Sequence, residues 1–290
     1  MVTETTKREI LSATRVPPGD LWHYTTIDVL EYFLKGEIAF SHYKFMNDDA
    51  ELSYGRQLLL KVFEGLKDWN IKDILGGNVV DDMVENAYLF CLSRDGDNLY
   101  QWRSYTQQGG IAIGFDRQKL HEAICNGVQN DEWLPWANRV SGMLIPCRYQ
   151  DDFAKRVVQR LNQRPQSGCC HGCKDFGLYL EKILKMLLAQ KNPSFKEEQE
   201  ERFVLTEVPR EMVVVINMKP RVLVRDSNIA KSISCVRLSP HGDRERNKLF
   251  VEILRDKYRF DFKIEQSISS YNGRTMASRL RCFKTKKYVI

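Results

Sequence analysis

The last third of the chain contains five apolar segments of strand length, and these constrain the fold more than any other feature. They read RFVLTEV, EMVVVIN, RVLVRD, CVRLSP and FDFKIEQS. Valine, isoleucine and aromatic residues recur in them, as is typical of β-strands. Earlier in the chain, NAYLFCLS and IAIGFD are apolar almost throughout, which favours strands buried on both faces. A sheet of many short strands is therefore the centre of the predicted fold.

Helical patterns accompany these strands without alternating regularly with them. LWHYT and EIAFS read as strands, and Thr25 with Asp28 fits the start of a helix that ends at Gly36. LYQWRSY reads as a short helix. Longer helical patterns cover residues 49–66, 150–163, 175–190 and 243–257. With no convincing linker, we predict one α+β domain over residues 20–290, after an N-terminal lead of residues 1–19 that ends in Pro-Pro-Gly.

The composition is that of an ordinary soluble globular protein, with 43% hydrophobic and 28% charged residues. No segment approaches the roughly 18 consecutive apolar residues that a membrane helix needs, and the N-terminal segment lacks the apolar run of a signal peptide. We therefore predict a cytoplasmic protein with no membrane partner. The net charge of +6 permits an acidic or nucleotide partner, but it is too diffuse to indicate nucleic acid by itself.

The eight cysteines include one crowded group, in the segment GCCHGCKD. Without a secretion signal, the scattered cysteines read as reduced thiols rather than as a disulfide framework. Cys169, Cys170, His171 and Cys173 could supply half of a zinc site, but no second Cys or His pair completes four ligands. We therefore predict a loop that holds no structural metal.

Polar residues gather in four groups next to the predicted strands. The first group is His23, Tyr24 and Thr25, where a strand meets a helix N-terminus whose free backbone N–H groups can bind an acceptor. Alternation along the strand directs His23 and Tyr24 to opposite faces. The second group consists of Asn47, Asp48 and Glu51. A helix cap is an alternative explanation for the asparagine and the first carboxylate of that second group.

The third group lies in SRDGDNLYQWRSYTQQGG. Ser93 ends a buried strand, and Trp102, Arg103 and Tyr105 follow on a short helix. Each aromatic ring could simply pack in the core. A serine, an arginine and two aromatic rings beside a Gly-Gly pair would also suit a flat, charged ligand.

The fourth group lies in FKEEQEERFV. If this segment enters a strand, Glu198, Glu200 and Arg202 share one face while Glu197 and Glu201 share the other. The alternative is a solvated helix face, which a run of glutamates often forms. The apolar, β-branched residues that follow favour the strand.

In their order along the chain, these segments resemble a bacterial family of proteins of unknown function, domain family 2971. The resemblance extends from Leu21 to about Arg274. It rests on the HYT strand, the NDxxE turn, LSRDGDNLYQWRSY, GGIAIGF, the Glu-x-Glu-x-Arg pattern, and a last strand that ends near Ser267 and Tyr271.

The strand carrying histidine and threonine, followed by an xxxLxxxLxxG helix and a short strand, is also similar to the start of the ADP-ribosyltransferases. This resemblance implies a split, mainly antiparallel sheet that holds NAD, the substrate, in its cleft. It implies that His23 binds the adenosine ribose with Thr25 beside it. It also implies that Tyr105 or Trp102 stacks on nicotinamide, and that the polar groups of residues 23–51 form one wall of the cleft.

The same resemblance implies that Glu200, or Glu198, holds the nicotinamide ribose. A carboxylate there would stabilise the positive charge that builds on the sugar as its bond to nicotinamide breaks. Arg103 or Arg202 could pair with the pyrophosphate through the guanidinium fork. The implied activity is ADP-ribosyl transfer or NAD hydrolysis by a bacterial toxin or defence-type effector, and the acceptor could be a protein, a nucleic acid, a small molecule or water.

Two other functions fit the same residues. His23, Asp48, Glu51 and Glu200 could hold a divalent metal for phosphodiester cleavage. Alternatively, the protein could be a nucleotide-sensing or protein-binding module without turnover. The nucleotide-cleft hypothesis predicts that Ser93, Trp102 and Tyr105 lie beside His23 in one concave pocket.

Overall fold

The computed structural model describes residues 19–46, 86–106, 109–130, 141–149, 152, 155–156, 159, 185–206 and 208–269. The strands are β1 (Asp20–Thr25), β2 (Glu37–His42), β3 (Tyr88–Ser93), β4 (Ile111–Asp116), β5 (Ser141–Pro146), β6 (Glu200–Thr206), β7 (Val213–Ile216), β8 (Lys219–Arg225), β9 (Ile233–Leu238) and β10 (Lys263–Gln266). The helices are α1 (Ile27–Leu34), α2 (Leu99–Tyr105), α3 (Arg117–Asn130), α4 (Ser227–Lys231) and α5 (Arg244–Tyr258). Short 3₁₀ turns span Tyr43–Phe45, Pro193–Glu198 and Arg210–Met212.

The strands form one open, mixed sheet in which most neighbours are antiparallel. Along the main path the order is β10-β9-β4-β1-β3-β2-β8-β7, while β6 pairs with β3 and β5 pairs with β6. Strands β9 and β10 are parallel. The predicted single α+β fold with a mainly antiparallel sheet is confirmed.

The two halves of this sheet meet at a narrow junction between β1 and β3. Strand β1 pairs with β4 over its whole length, and β3 pairs likewise with β6, but β1 and β3 share the single pair Trp22–Ser93. Just beyond that pair the strands diverge. There the imidazole Nδ1 of His23 lies 3.0 Å from the carbonyl oxygen of Cys91 and donates to it. The His23 side chain thus donates to a backbone carbonyl of β3 that, in a continuous sheet, would accept a hydrogen bond from the backbone of the adjacent strand.

One face of the sheet is covered by α1, α3, α4 and α5, and this helix-covered face contains the main core. Phe33 of α1, Ile124 of α3, Ile229 of α4 and Val251 of α5 are all buried there. Burying a side chain of this size stabilises the fold by about 1.5–3 kcal/mol. We call the other side, which carries Tyr24, Ser93, Glu200 and Arg202, the polar face. Helix α2 lies on the polar face, where Trp102 packs against Tyr24.

Several local predictions change once the structure is known. Strand β1 includes Thr25, so the residue that caps α1 is Thr26, and its side chain makes no capping hydrogen bond. The helix ends as predicted, with Gly36 at a φ of 79°. Helix α3 was not predicted, because its apolar residues are few and Gly127 interrupts the pattern. Most of the helices predicted over 49–66, 150–163 and 175–190 lie outside the described residues. Within the described ranges, no helix has both the length and the apolar character to cross a membrane.

Candidate functional site: a buried carboxylate pair

The charged segment at 197–202 leads into a strand, as predicted, and from Glu200 onward its side chains alternate between the two faces. Glu197 and Glu198, which were also predicted to lie in the strand, belong to a 3₁₀ turn instead. β6 begins at Glu200 and is buried throughout. Glu200 and Arg202 lie on the polar face, opposite Ser93 and Cys91 of β3. Glu198 precedes the strand, at the end of a 3₁₀ turn. The αL backbone of Gln199, with a φ of 47°, separates turn from strand.

A lysine that the sequence analysis did not consider joins the two glutamates. The Nζ atom of Lys191 contacts a carboxylate oxygen of both Glu198 and Glu200. Arg202 binds Glu200 from the other side through Nε to Oε1 at 2.6 Å and Nη2 to Oε2 at 3.3 Å. The four side chains are deeply buried, since their residues are exposed by 4%, 3%, 4% and 0% for Lys191, Glu198, Glu200 and Arg202. Among the described residues, two carboxylates and two cations thus form one buried cluster, which we call the carboxylate cluster.

The two carboxylates of this cluster differ electrostatically. Burial by itself would raise the pKa of Glu200, but the charges of Arg202 and Lys191 outweigh it and hold that pKa well below its usual range. For Glu198, burial dominates and raises the pKa despite the charge of Lys191. Glu200 is therefore held as an anion, whereas burial favours the protonated form of Glu198, so that of the two carboxyl groups Glu198 takes up a proton more readily.

Helix α2 holds the turn that carries Glu198. Gln101 Nε2 donates to the backbone carbonyl of Glu198 at 3.1 Å, and Ser93 Oγ donates to the same carbonyl at 2.8 Å. Tyr105 donates its hydroxyl hydrogen to the Glu198 carboxylate at 3.1 Å. Asn98 caps α2 through its side-chain oxygen and donates its amide to the Glu197 carbonyl. The predicted third and fourth groups therefore do meet, through Ser93 and Tyr105.

The two aromatic candidates for stacking have different environments. Trp102 is 0% exposed, and its Nε1 donates to Asp97 Oδ1 at 2.8 Å. The prediction that Trp102 offers a ring to a ligand is therefore wrong, since that ring is part of the core. Tyr24 is also buried and bonds the backbone of Asp95 and Asn98, which makes it a support for the loop before α2. Tyr105 is half-buried.

His23 is not in the pocket that was predicted for it. Alternation along β1 directs it away from Tyr24, and its half-buried ring packs against Phe33 and Phe90 at centroid distances of 5.7 and 4.8 Å. These two rings belong to the core of the helix-covered face. The prediction that His23 shares one pocket with Ser93, Trp102 and Tyr105 is therefore wrong. Thr25 lies on the same face of β1 as His23, and burial lowers the pKa of His23 to about 4.

The two arginines predicted for pyrophosphate also differ from expectation. Arg202 uses Nη1 to bind the carbonyl of Leu188 at 3.0 Å, and its other nitrogens bind Glu200. Its guanidinium fork is therefore directed at a carboxylate of this chain, so the assignment of Arg202 to pyrophosphate is wrong. Arg103 is exposed on α2. Burial lowers the pKa of His241, and the nearby charge of Arg103 lowers it further.

On the opposite side of β6, Glu201 forms a separate ion pair. Its Oε1 lies 3.0 Å from Nη2 of Arg117 and 3.8 Å from Nε of Arg94. Glu201 and Arg117 are buried, and burial raises the pKa of Glu201. This pair lies on the helix-covered face, away from the carboxylate cluster, as the predicted alternation requires.

Some predicted residues cannot be placed. Asn47, Asp48 and Glu51 lie outside the described residues, and so do Cys169, Cys170, His171 and Cys173. Among the residues that are described, no group of three or more His, Cys, Asp or Glu side chains could hold a metal ion. The alternative metal site also required His23 and Glu200 together, and these lie on opposite faces of the sheet.

A family model matches the part of the chain that contains the centre of this site. Residues 101–203 match the family model described as "Protein of unknown function (DUF2971)", which confirms the resemblance to domain family 2971 over this part of the chain. The matched region begins in α2 and ends in β6, so it contains Tyr105, Lys191 and both carboxylates. No curated protein and no solved structure matches the chain.

Proposed function

We propose that the polar face binds an NAD-like nucleotide and that the protein transfers or hydrolyses its ADP-ribosyl group, as a cytoplasmic effector of the toxin or defence type. The observation that carries this proposal is the difference between Glu198 and Glu200. Neighbouring carboxyl groups whose environments move their pKa values apart are typical of sites that need one fixed charge and one proton-exchanging group.

The chemistry assigns a separate task to each carboxylate. As the bond between the ribose and nicotinamide breaks, its electron pair leaves with the nicotinamide nitrogen and positive charge develops on the ribose. Glu200, which stays ionised, would stabilise that charge. The oxygen of an acceptor hydroxyl or of water then bonds to the ribose carbon, and its proton passes to Glu198, whose raised pKa suits a general base.

The half-buried ring of Tyr105 supports the same assignment. It lies on the polar face, with its hydroxyl on Glu198, whereas Trp102 is enclosed in the core. Tyr105 rather than Trp102 would therefore stack on nicotinamide, and in that position the labile bond would lie next to the carboxylate cluster. NAD enters this scheme as a substrate, and Ser93 orients the turn that carries the general base.

A second function, a nucleotide-sensing or protein-binding module without turnover, is supported by the contacts of Glu200. Both of its carboxylate oxygens bind cations of this chain, Arg202 and Lys191. In that arrangement the carboxylate would fix the shape of the polar face rather than face a reacting sugar. A buried ion network of this kind is also found as a purely structural element.

Labelled NAD separates the two functions. The purified full chain is incubated with NAD labelled in both the nicotinamide and the adenine ring, with and without bacterial lysate. Release of nicotinamide with transfer of the adenine label to a macromolecule indicates a transferase, and release with free ADP-ribose indicates a hydrolase. Saturable binding without release indicates the module. If the protein neither binds nor cleaves NAD, the ADP-ribosyl chemistry and the NAD-sensing form of the module are both wrong.

A further inference from the structure

Lys191 is held more firmly than a surface lysine. Its backbone N–H donates to the carbonyl of Arg148 at 3.0 Å, and its ammonium lies 5.3 Å from the ring centroid of Phe195. From this anchored position the Nζ atom reaches both Glu198 and Glu200. A flexible side chain is thereby fixed between two carboxylates that are seven and nine residues away in the sequence.

The contacts in the carboxylate cluster are unequal. Glu200 binds both cations, Lys191 and Arg202, and so keeps a compensating charge if either cation is removed. Glu198 has Lys191 as its ion-pair partner, together with the neutral hydroxyl of Tyr105. Removing the lysine should therefore affect Glu198 far more than Glu200.

We propose that Lys191 is the positioning residue that gives the two carboxylates different roles, by fixing them side by side and by serving as the cation that stabilises the charge of Glu198. The consequence for turnover rests on the proposed ADP-ribosyl chemistry. The effect on the charge of Glu198 does not, and it can be measured in a protein with no substrate present.

The other titratable groups around the cluster, within the part of the chain that the structure describes, do not interfere with that measurement. Tyr105 of α2, Cys91 of β3 and Tyr149, whose hydroxyl accepts from the backbone N–H of Glu200 at 2.7 Å, surround the two carboxylates. Burial raises the pKa of each of these three groups above the ordinary value for its type. They stay neutral below pH 8, so a titration in that range reports the carboxyl groups of Glu198 and Glu200.

The test is a pH titration of the full chain by ¹³C NMR with glutamate labelled at the side-chain carboxyl carbon. The Glu198 and Glu200 signals are assigned with Glu198→Gln and Glu200→Gln. In Lys191→Met, we expect the midpoint of Glu198 to move upward by about one pH unit or more, because an opposite charge in contact shifts a carboxyl group by that amount. Glu200 should stay ionised, and Lys191→Arg should restore the midpoint. If Glu198 titrates at the same pH in Lys191→Met as in the wild type, the proposal is wrong.

A second variant covers the case in which Lys191→Met does not fold. The double variant Lys191→Met with Glu198→Gln removes one positive and one negative charge and leaves Glu200 paired with Arg202. If Lys191 serves Glu198, the double variant should fold and be more stable than Lys191→Met. A double variant no more stable than the single one would contradict the proposal. A wild-type protein that releases no nicotinamide would overturn the proposed function, while this charge effect would stand on its own measurement.

Discussion

Glu200 and Glu201 are adjacent in β6, yet their carboxylates lie on opposite faces of the sheet and pair with different cations. Glu200 binds Arg202 and Lys191 on the polar face, and Glu201 binds Arg117 on the helix-covered face. Both are buried to a similar extent. The strand thus contains two glutamates that are equally buried and are each paired with an arginine. One of them, Glu200, belongs to the candidate site, and Glu201 does not. This makes Glu201 a control for every experiment on Glu200.

The ion pairs of Glu200 should make the protein sensitive to acid. Its pKa is lowered in the folded state from an ordinary value of about 4.5, so its contribution to stability is complete above that pH and is lost as the pH falls below it. Replacing it with glutamine should cost roughly 3–5 kcal/mol at pH 7, because two buried cations lose a partner. The free energy of unfolding of the wild type and of Glu200→Gln is measured by urea unfolding at a series of pH values, and the two values should converge as the pH falls below 4.5. A difference between them that stays constant with pH would mean that Glu200 is not ionised in the folded protein.

His23 should act on stability rather than on nucleotide binding. Its pKa is lowered to about 4 from an ordinary value of 6.5, so the folded protein favours the neutral imidazole. Stability associated with His23 is complete above pH 6.5 and is lost as the pH falls toward 4. In His23→Asn this part of the acid destabilisation should be missing, while the dissociation constant for NAD stays within about twofold of wild type. A tenfold loss of NAD affinity would place His23 back in the site.

Tyr105 and Trp102 of α2 should give opposite results. Tyr105→Ala should weaken NAD binding about tenfold, since stacking of a base on an aromatic ring contributes roughly 1–3 kcal/mol. Trp102→Phe should leave affinity unchanged but lower the free energy of unfolding by roughly 1–3 kcal/mol, because the half-buried carboxylate of Asp97 loses the hydrogen bond from the indole N–H. Calorimetric titration with NAD and thermal unfolding of both variants test this. Weaker binding by Trp102→Phe with unchanged stability would reverse the assignment.

The alternation of side chains between the two faces of a β-strand was predicted correctly from the sequence. The strand through 200–206 and the division of Glu200 and Glu201 between faces follow from β-branched residues beside an alternating charged segment. The same rule placed His23 and Tyr24 on opposite faces of β1. It did not say which of them would face α2, because that depends on how the sheet packs, and the resemblance to ADP-ribosyltransferases favoured the wrong one.

Contacts between segments that are distant in the chain could not be predicted from local sequence patterns. Lys191 follows helical residues 185–189, where a lysine ordinarily faces solvent, and no local pattern shows that it turns inward to the carboxylates. Trp102 looked available because it lies beside Arg103 on a polar helix. Its burial results from residues of the sheet, such as Tyr24 of β1 and Ala112 of β4, which pack against it only in the folded chain. In both cases the missing information was tertiary.

NAD turnover by Glu200→Gln and Glu201→Gln tests the central proposal most directly. Nicotinamide release is measured at saturating NAD, under conditions where unfolding curves show that both variants are fully folded. We expect Glu200→Gln to reduce turnover about 100-fold with little change in NAD affinity, as for an interaction made mainly in the transition state, and Glu201→Gln to retain nearly all of it. Equal turnover by the two variants would contradict the assignment of Glu200 as the carboxylate that stabilises the ribose.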